Sequence, residues 1–235
     1  MVLYDNMIKD IMDLLPAEFR EFPHKETNFK NVGKNSVLLK KDTAFELGGS
    51  QTRCVNTLAI TSTYHFENTV ALYGPDLTEI KGDVPFGKIV FAEVADVDNG
   101  TDDDLYAEIK KLEAVRYSYC PEGFMARASA IDMREQIRVS KKAVKRKITF
   151  QDYGSAVIDE YLKNPIVKSV KVIFITEGNV LGDLHTIAWR IKDTTSALNH
   201  ILDNVLFDCS TCNLKAICDE VEGLKEIHMQ QAKKS

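Results

Sequence analysis

The chain has 235 residues, 44% of them hydrophobic, with only 12 Gly and 6 Pro, which excludes a disordered or fibrous protein and allows one large or two small packed domains. Thirty Lys and Arg against thirty-five Asp and Glu give a net charge of -5, so no nucleic-acid partner held by phosphate neutralisation is expected. The apolar run around Val172–Ile175 is far shorter than the ~18 residues of a membrane helix, and the N-terminus has no signal-peptide pattern; a cytoplasmic protein with no membrane partner is expected.

In chain order, Tyr4, Ile8, Ile11, Met12 and Leu15 recur at helical spacing and predict an amphipathic helix that Pro16 ends. Runs rich in β-branched and aromatic residues then predict strands at Ser36–Leu39, Thr57–Tyr64, Thr69–Tyr73 and Lys88–Val94, separated by Gly-Gly, Gly-Pro-Asp and Pro-Phe-Gly turns. Asp96–Asp104 has the outline of a calcium loop, but Glu108 falls one place beyond the position a bidentate ligand needs, so a turn leading into an acidic helix start is the better reading. Leu105, Ile109, Leu112 and Val115 mark one face of that helix, which breaks at Cys120-Pro121-Glu122-Gly123. A polar stretch runs to Gln136. After it come a short strand at Ile137–Val139, Ser140 as the cap of a basic helical turn, a helix over Tyr153–Tyr161, a strand over Val167–Ile175 and a mostly helical last third.

A block of strands followed by mixed strands and helices predicts an α+β fold, with a mixed, largely antiparallel sheet, packed helices and a helical C-terminal extension. The expected division is a domain over residues 1–178 and an extension over 179–235 that carries a Cys-rich segment.

Cysteine is the informative residue. Three of the five crowd into Cys209-Ser-Thr-Cys212-Asn-Leu-Lys-Ala-Ile-Cys218, unlike the even, dispersed set of a disulfide framework. A Cys-x2-Cys turn directs two soft sulfurs at one centre, Cys218 supplies a third, and His228 is the nearest fourth donor along the chain. An iron-sulfur cluster and a zinc ion both fit this set; the alternative is a group of reduced thiols on a helix. Cys54 and Cys120 reach the same centre only if the fold brings them there.

Six segments taken together resemble the central domain of the acetyl-CoA synthase family, the beta subunit of the CO dehydrogenase/acetyl-CoA synthase complex. They are Phe45-Glu-Leu-Gly-Gly-Ser-Gln-Thr52, Tyr73-Gly-Pro-Asp-Leu77, Val84-Pro-Phe-Gly-Lys-Ile89, Ile137-Arg-Val-Ser-Lys-Lys-Ala143, Phe150-Gln-Asp-Tyr-Gly154 and Val170-Lys-Val-Ile-Phe-Ile-Thr176. The resemblance extends to the cysteines. In the family, four cysteines beyond the central domain hold the four-iron four-sulfur cube of a nickel-containing cluster. Here Asp203 and Phe207 lead into Cys209, Cys212 and Cys218 with a second gap three residues shorter, and His228 stands where the fourth cysteine would be.

The resemblance therefore implies one 4Fe-4S cluster on Cys209, Cys212, Cys218 and His228, with structural zinc on the same four residues as the alternative. Imidazole in place of a thiolate would raise the cluster's potential, and Asp219, Glu220, Glu222 and Glu226 would lower it. No Cys-x-Cys occurs in the 235 residues, whereas the family's distal nickel sits in a Cys-Gly-Cys segment. That implies a redox, accessory or assembly role in an anaerobe's one-carbon metabolism rather than complete synthase catalysis, with CO dehydrogenase/acetyl-CoA synthase or corrinoid protein components as partners. A subunit that completes a nickel site with a second chain is a further alternative.

The family's central domain is also implicated in CoA binding. Residues 134–147 carry seven basic side chains against Glu135 alone, and Arg134, Arg138, Lys141, Lys142, Lys145 and Arg146 are the candidate phosphate ligands. A solvated helix face is the alternative reading of the same charges. The segment before them, Gly123-Phe-Met-Ala-Arg127, lacks the tryptophan the family has there. His65, His185 and His200 have no motif spacing and are assigned no chemistry.

Overall fold

The structure, a computed structural model, describes residues 2–31, 39–48, 54–95, 102–128, 135–202, 212–221 and 224. Among these, eight strands and six helices run in the order α1 (Asp5–Leu14), β1 (Arg20–Pro23), β2 (Ala44–Leu47), β3 (Cys54–Thr61), β4 (Thr69–Tyr73), β5 (Phe86–Val94), α2 (Asp102–Ser118), β6 (Phe124–Ala128), β7 (Glu135–Ser140), α3 (Lys141–Lys145), α4 (Phe150–Leu162), β8 (Val167–Ile175), α5 (Leu181–Leu202) and α6 (Lys215–Glu220). The fold is α+β, as the sequence predicts. A five-stranded sheet has the order β1-β4-β8-β5-β3, and a three-stranded sheet the order β2-β7-β6. Only β3 with β5 and β4 with β8 pair in parallel; the other four pairings are antiparallel.

The large sheet is covered on both faces, which is why every residue of β3 and β5 is buried, the polar Asn56, Thr57, Thr61, Lys88 and Glu93 among them. Successive residues of a strand point to opposite faces. Phe174 meets α4 at Gly154, while its neighbour Ile175 lies beside Gly87 and so on the face where Leu181 of α5 packs. Helix α5 lies along β3 and against α1. Helix α4 comes close enough to the sheet that a Cβ on Gly154 would stand 2.5 Å from a Val70 methyl, so glycine in mid-helix is required by packing here. Rings from β5, α4, β8 and β6 stack in a column through Phe86, Phe150, Phe174, Tyr153 and Phe124, each of them buried. No described helix is long and apolar enough to cross a membrane.

Several element boundaries differ from the sequence reading for local chemical reasons. The run placed at Thr57–Tyr64 is a strand only to Thr61, because the Thr61 hydroxyl accepts the amides of Thr63 and Tyr64 and turns the chain. The hydroxyls of Thr61 and Thr63 in turn donate to the carboxylate of Asp5 in the first turn of α1. The strand expected at Ser36–Leu39 falls largely outside the described residues, and Leu39 itself is not in a strand. The stretch read as polar up to Gln136 contains β6. Helix α4 starts three residues earlier than expected, at a reciprocal cap between Thr149 and Asp152 reinforced by the buried Asp76 carboxylate, which accepts the Phe150 amide at 2.8 Å. Ser140 caps α3, as expected, by accepting the amide of Lys142.

Candidate functional site

Two places bear on function, and they lie on different elements. The first is a cleft of about 530 Å³. One wall is the extended segment Glu26–Phe29 and the other is the turn of helix α3 with Ser140, Lys142 and Arg146; Leu39, Gly123 and Ile148 also line it. The strap that carries the extended wall is held at its ends by backbone bonds, from the His24 amide to the Asn68 carbonyl and from the Glu122 amide to the Lys30 carbonyl, and between them it is fastened to one face of α4, at positions 152, 155 and 159. His24 Nε2 is 2.7 Å from Asp159 Oδ1, Thr27 donates to Asp159 Oδ2 at 3.1 Å, the Lys25 amide donates to the Ser155 hydroxyl at 3.2 Å, and Lys25 Nζ is 2.5 Å from Asp152. Burial pushes the Asp152 carboxyl up, but the bond from Lys25 and those from Thr149 outweigh it and hold the pKa below the usual aspartate range.

The six basic candidates separate clearly. Lys142 and Arg146 are exposed and line the cleft. Arg138 points inward from β7, where Nε and Nη2 donate to Glu46 Oε1 at 2.9 and 2.5 Å and Nη1 donates to the Leu39 carbonyl at 2.9 Å. With 14% and 8% of the two side chains exposed, this is a buried ion pair joining β2 to β7. Lys141 donates to the Asp42 carbonyl and lies 5.3 Å over the Phe45 ring. Lys145 faces solvent on α3, and Arg134 lies outside the described residues. The walls supplied by Glu26–Phe29 and Asp152 had no signal in the sequence beyond the Thr149–Asp152 cap, because an extended strap shows no periodicity.

The second place is the cysteine segment. Cys209 and His228 lie outside the described residues. Cys212 and Cys218 are half-buried, and neither is in a disulfide; by contrast Cys54 and Cys120 are sealed in the core, where Cys120 Sγ donates to the Phe124 carbonyl at 3.1 Å. The carbonyl of Cys212 accepts the Lys215 amide in the turn that opens α6, and Cys218 sits within that helix. No residue of α6 is fully buried; Ile217, Cys218 and the flanking Leu214 and Val221 rest partly against the core, and Leu224 beyond them is buried. Arg190 of α5 joins the helix to the body of the protein, with Nη2 2.9 Å from Glu220 and Nη1 3.1 Å from Asp10 of α1.

Two half-buried sulfurs at the margin of the core, neither of them in a disulfide, are a donor chemistry that fits a thiophilic metal or cluster. Among the described residues no group of three or more His, Cys, Asp or Glu side chains converges on a metal position, since two of the four candidate ligands lie beyond them. No curated protein matches the chain. A family model does, over residues 31–181, which takes in β2 to β8 and α2 to α4 and stops at the first residue of α5; it contains the α3 wall of the cleft and leaves both the Glu26–Phe29 wall and the cysteine segment outside.

Proposed function

Because the chain belongs to the family described as CO dehydrogenase/acetyl-CoA synthase complex beta subunit, we propose that it is an acetyl-CoA-synthase-like component that binds one 4Fe-4S cluster through Cys209, Cys212, Cys218 and His228 and serves anaerobic one-carbon metabolism in a redox, accessory or assembly role. The observation that carries this reading is the contrast among the cysteines: two are buried inside the family domain, whereas Cys212 and Cys218 sit half-exposed beyond it at a Cys-x2-Cys-x5-Cys spacing. Components of a CO dehydrogenase/acetyl-CoA synthase complex, or a corrinoid protein, are the natural partners of such a chain. Zinc on the same donors would make the segment structural instead.

Anaerobic metal and sulfide analysis separates these. The full chain should purify brown, with about four iron and four sulfide per protein, and Cys212→Ser should lose most of both. A colourless wild-type protein with stoichiometric zinc would overturn the cluster reading.

A second reading concerns the cleft. The wall that lies inside the matched span carries two exposed cations, Lys142 and Arg146, which favour a phosphate-bearing ligand with CoA the candidate, although Glu26, Glu122 and the Lys25-paired Asp152 also line the cleft. Calorimetric titration of CoA should give binding that a Lys142→Glu/Arg146→Glu double variant weakens at least tenfold. Arg138, being paired with Glu46, is unsuited to that role. Equal binding by both proteins, or none by either, removes the ligand.

A further inference from the structure

The metal reading leaves open what gives the cysteine helix a defined geometry. Helix α6 has six residues, well under the ~12–15 at which an isolated helix becomes marginal in water, so its geometry is imposed from outside. Its packing through Leu214, Ile217, Val221 and Cys218 itself fixes how deeply it lies on the body, but apolar packing is non-directional and fixes its rotation poorly. The charge-assisted bond from Arg190 to Glu220 is directional. Glu220 and Cys218 are two residues apart, about 200° around a helix with 3.6 residues per turn. A rotation of α6 that carries Glu220 away from Arg190 therefore swings the Cys218 sulfur through the same angle.

Resting on the proposed metal-binding role, we infer that Arg190 is the positioning residue of the cysteine segment. By holding Glu220 of α6 with one guanidinium nitrogen and Asp10 of α1 with another, it sets the direction in which Cys218 presents its sulfur to a bound metal or cluster. Arg190 itself is well placed for this. It lies in the middle of a 22-residue helix whose neighbours Leu184, Ala188, Ile191 and Thr194 are buried against the core, so its backbone is anchored by packing on both sides of it in sequence. The three side chains are 35%, 45% and 57% exposed, which limits the effect to a few-fold.

The test uses the full chain, reconstituted anaerobically with iron and sulfide, and follows extraction of the metal by a chelator together with the visible circular dichroism of the cluster. Arg190→Met and Glu220→Met should each speed extraction about fivefold and alter the dichroism. The double variant should be no faster than either single one, because both remove the same bond. Arg190→Lys, which keeps the charge and one donor, should recover part of the wild-type rate. Extraction and dichroism unchanged in Arg190→Met would overturn the inference, as would additive effects in the double variant. Should the wild type hold no metal, the cluster reading fails by itself, and amide hydrogen exchange within α6 then decides on Arg190: faster exchange in Arg190→Met sustains its hold on the helix, and equal exchange removes it.

Discussion

Phe174→Ala is expected to lower the stability of the domain by about 3–5 kcal/mol, the range for emptying a buried phenylalanine site. Phe174 is fully buried at the centre of the large sheet, with ring centroids at 4.7 Å from Phe150, 5.2 Å from Tyr153 and 6.1 Å from Phe86. Those three rings belong to α4 and β5, so the cavity would open where helix and sheet are joined. Relaxation can fill little of it, because α4 already approaches as closely as Gly154 permits. Urea denaturation of Phe174→Ala and Phe174→Leu measures this; leucine should recover more than half of the loss caused by alanine. A loss below about 1 kcal/mol in Phe174→Ala would mean that the column of rings can collapse on itself, contrary to the packing described.

Arg138→Met is expected to cost a comparable amount, about 3–5 kcal/mol, for a different reason: it strands the buried Glu46 carboxylate without its partner. The cost comes from the orphaned charge more than from lost attraction, so Glu46→Leu combined with Arg138→Met should recover most of it. Recovery should be incomplete, because the Leu39 carbonyl loses a donor in either background. A double variant as unstable as Arg138→Met alone would show that the pair is worth more than two apolar side chains in its place. The same pair bears on function, since it joins β2 to β7 and β7 leads directly into the basic turn that lines the cleft.

The sequence made much of the sheet legible, and the reasons are visible residue by residue. Thr69–Tyr73, Lys88–Val94 and Val167–Ile175 were readable because strands covered on both faces favour apolar, β-branched runs such as Ile89–Ala92 and Val172–Ile175. Arg20–Pro23 was not, since an edge strand tolerates charge and proline and so carries no apolar signature. The basic segment was legible as charge and illegible as geometry. Its composition could not reveal that Arg138 turns inward to Glu46, ninety-two residues away in sequence, while Lys142 and Arg146 turn outward to the cleft. The strap that forms the opposite wall was invisible for the same reason, since His24, Lys25 and Thr27 acquire their partners on α4 only through the tertiary fold.

The central place of β8 in the large sheet also governs the order in which the chain can fold. Val172 of β8 is flanked by Val70 of β4 on one side and Val90 of β5 on the other. Until β8 has been synthesised, β4 can pair only with β1 and β5 only with β3, so the native pairings open to the large sheet are two separate strand pairs, each with an unpaired inner edge. Such edges are templates for pairing with other chains, and a nascent protein exposes them for as long as translation takes to move through α2, the small sheet and α4. The finished fold closes both edges with a single strand. Slow translation through the segment from β5 to β8 would therefore lengthen the time for which those inner edges stay unpaired.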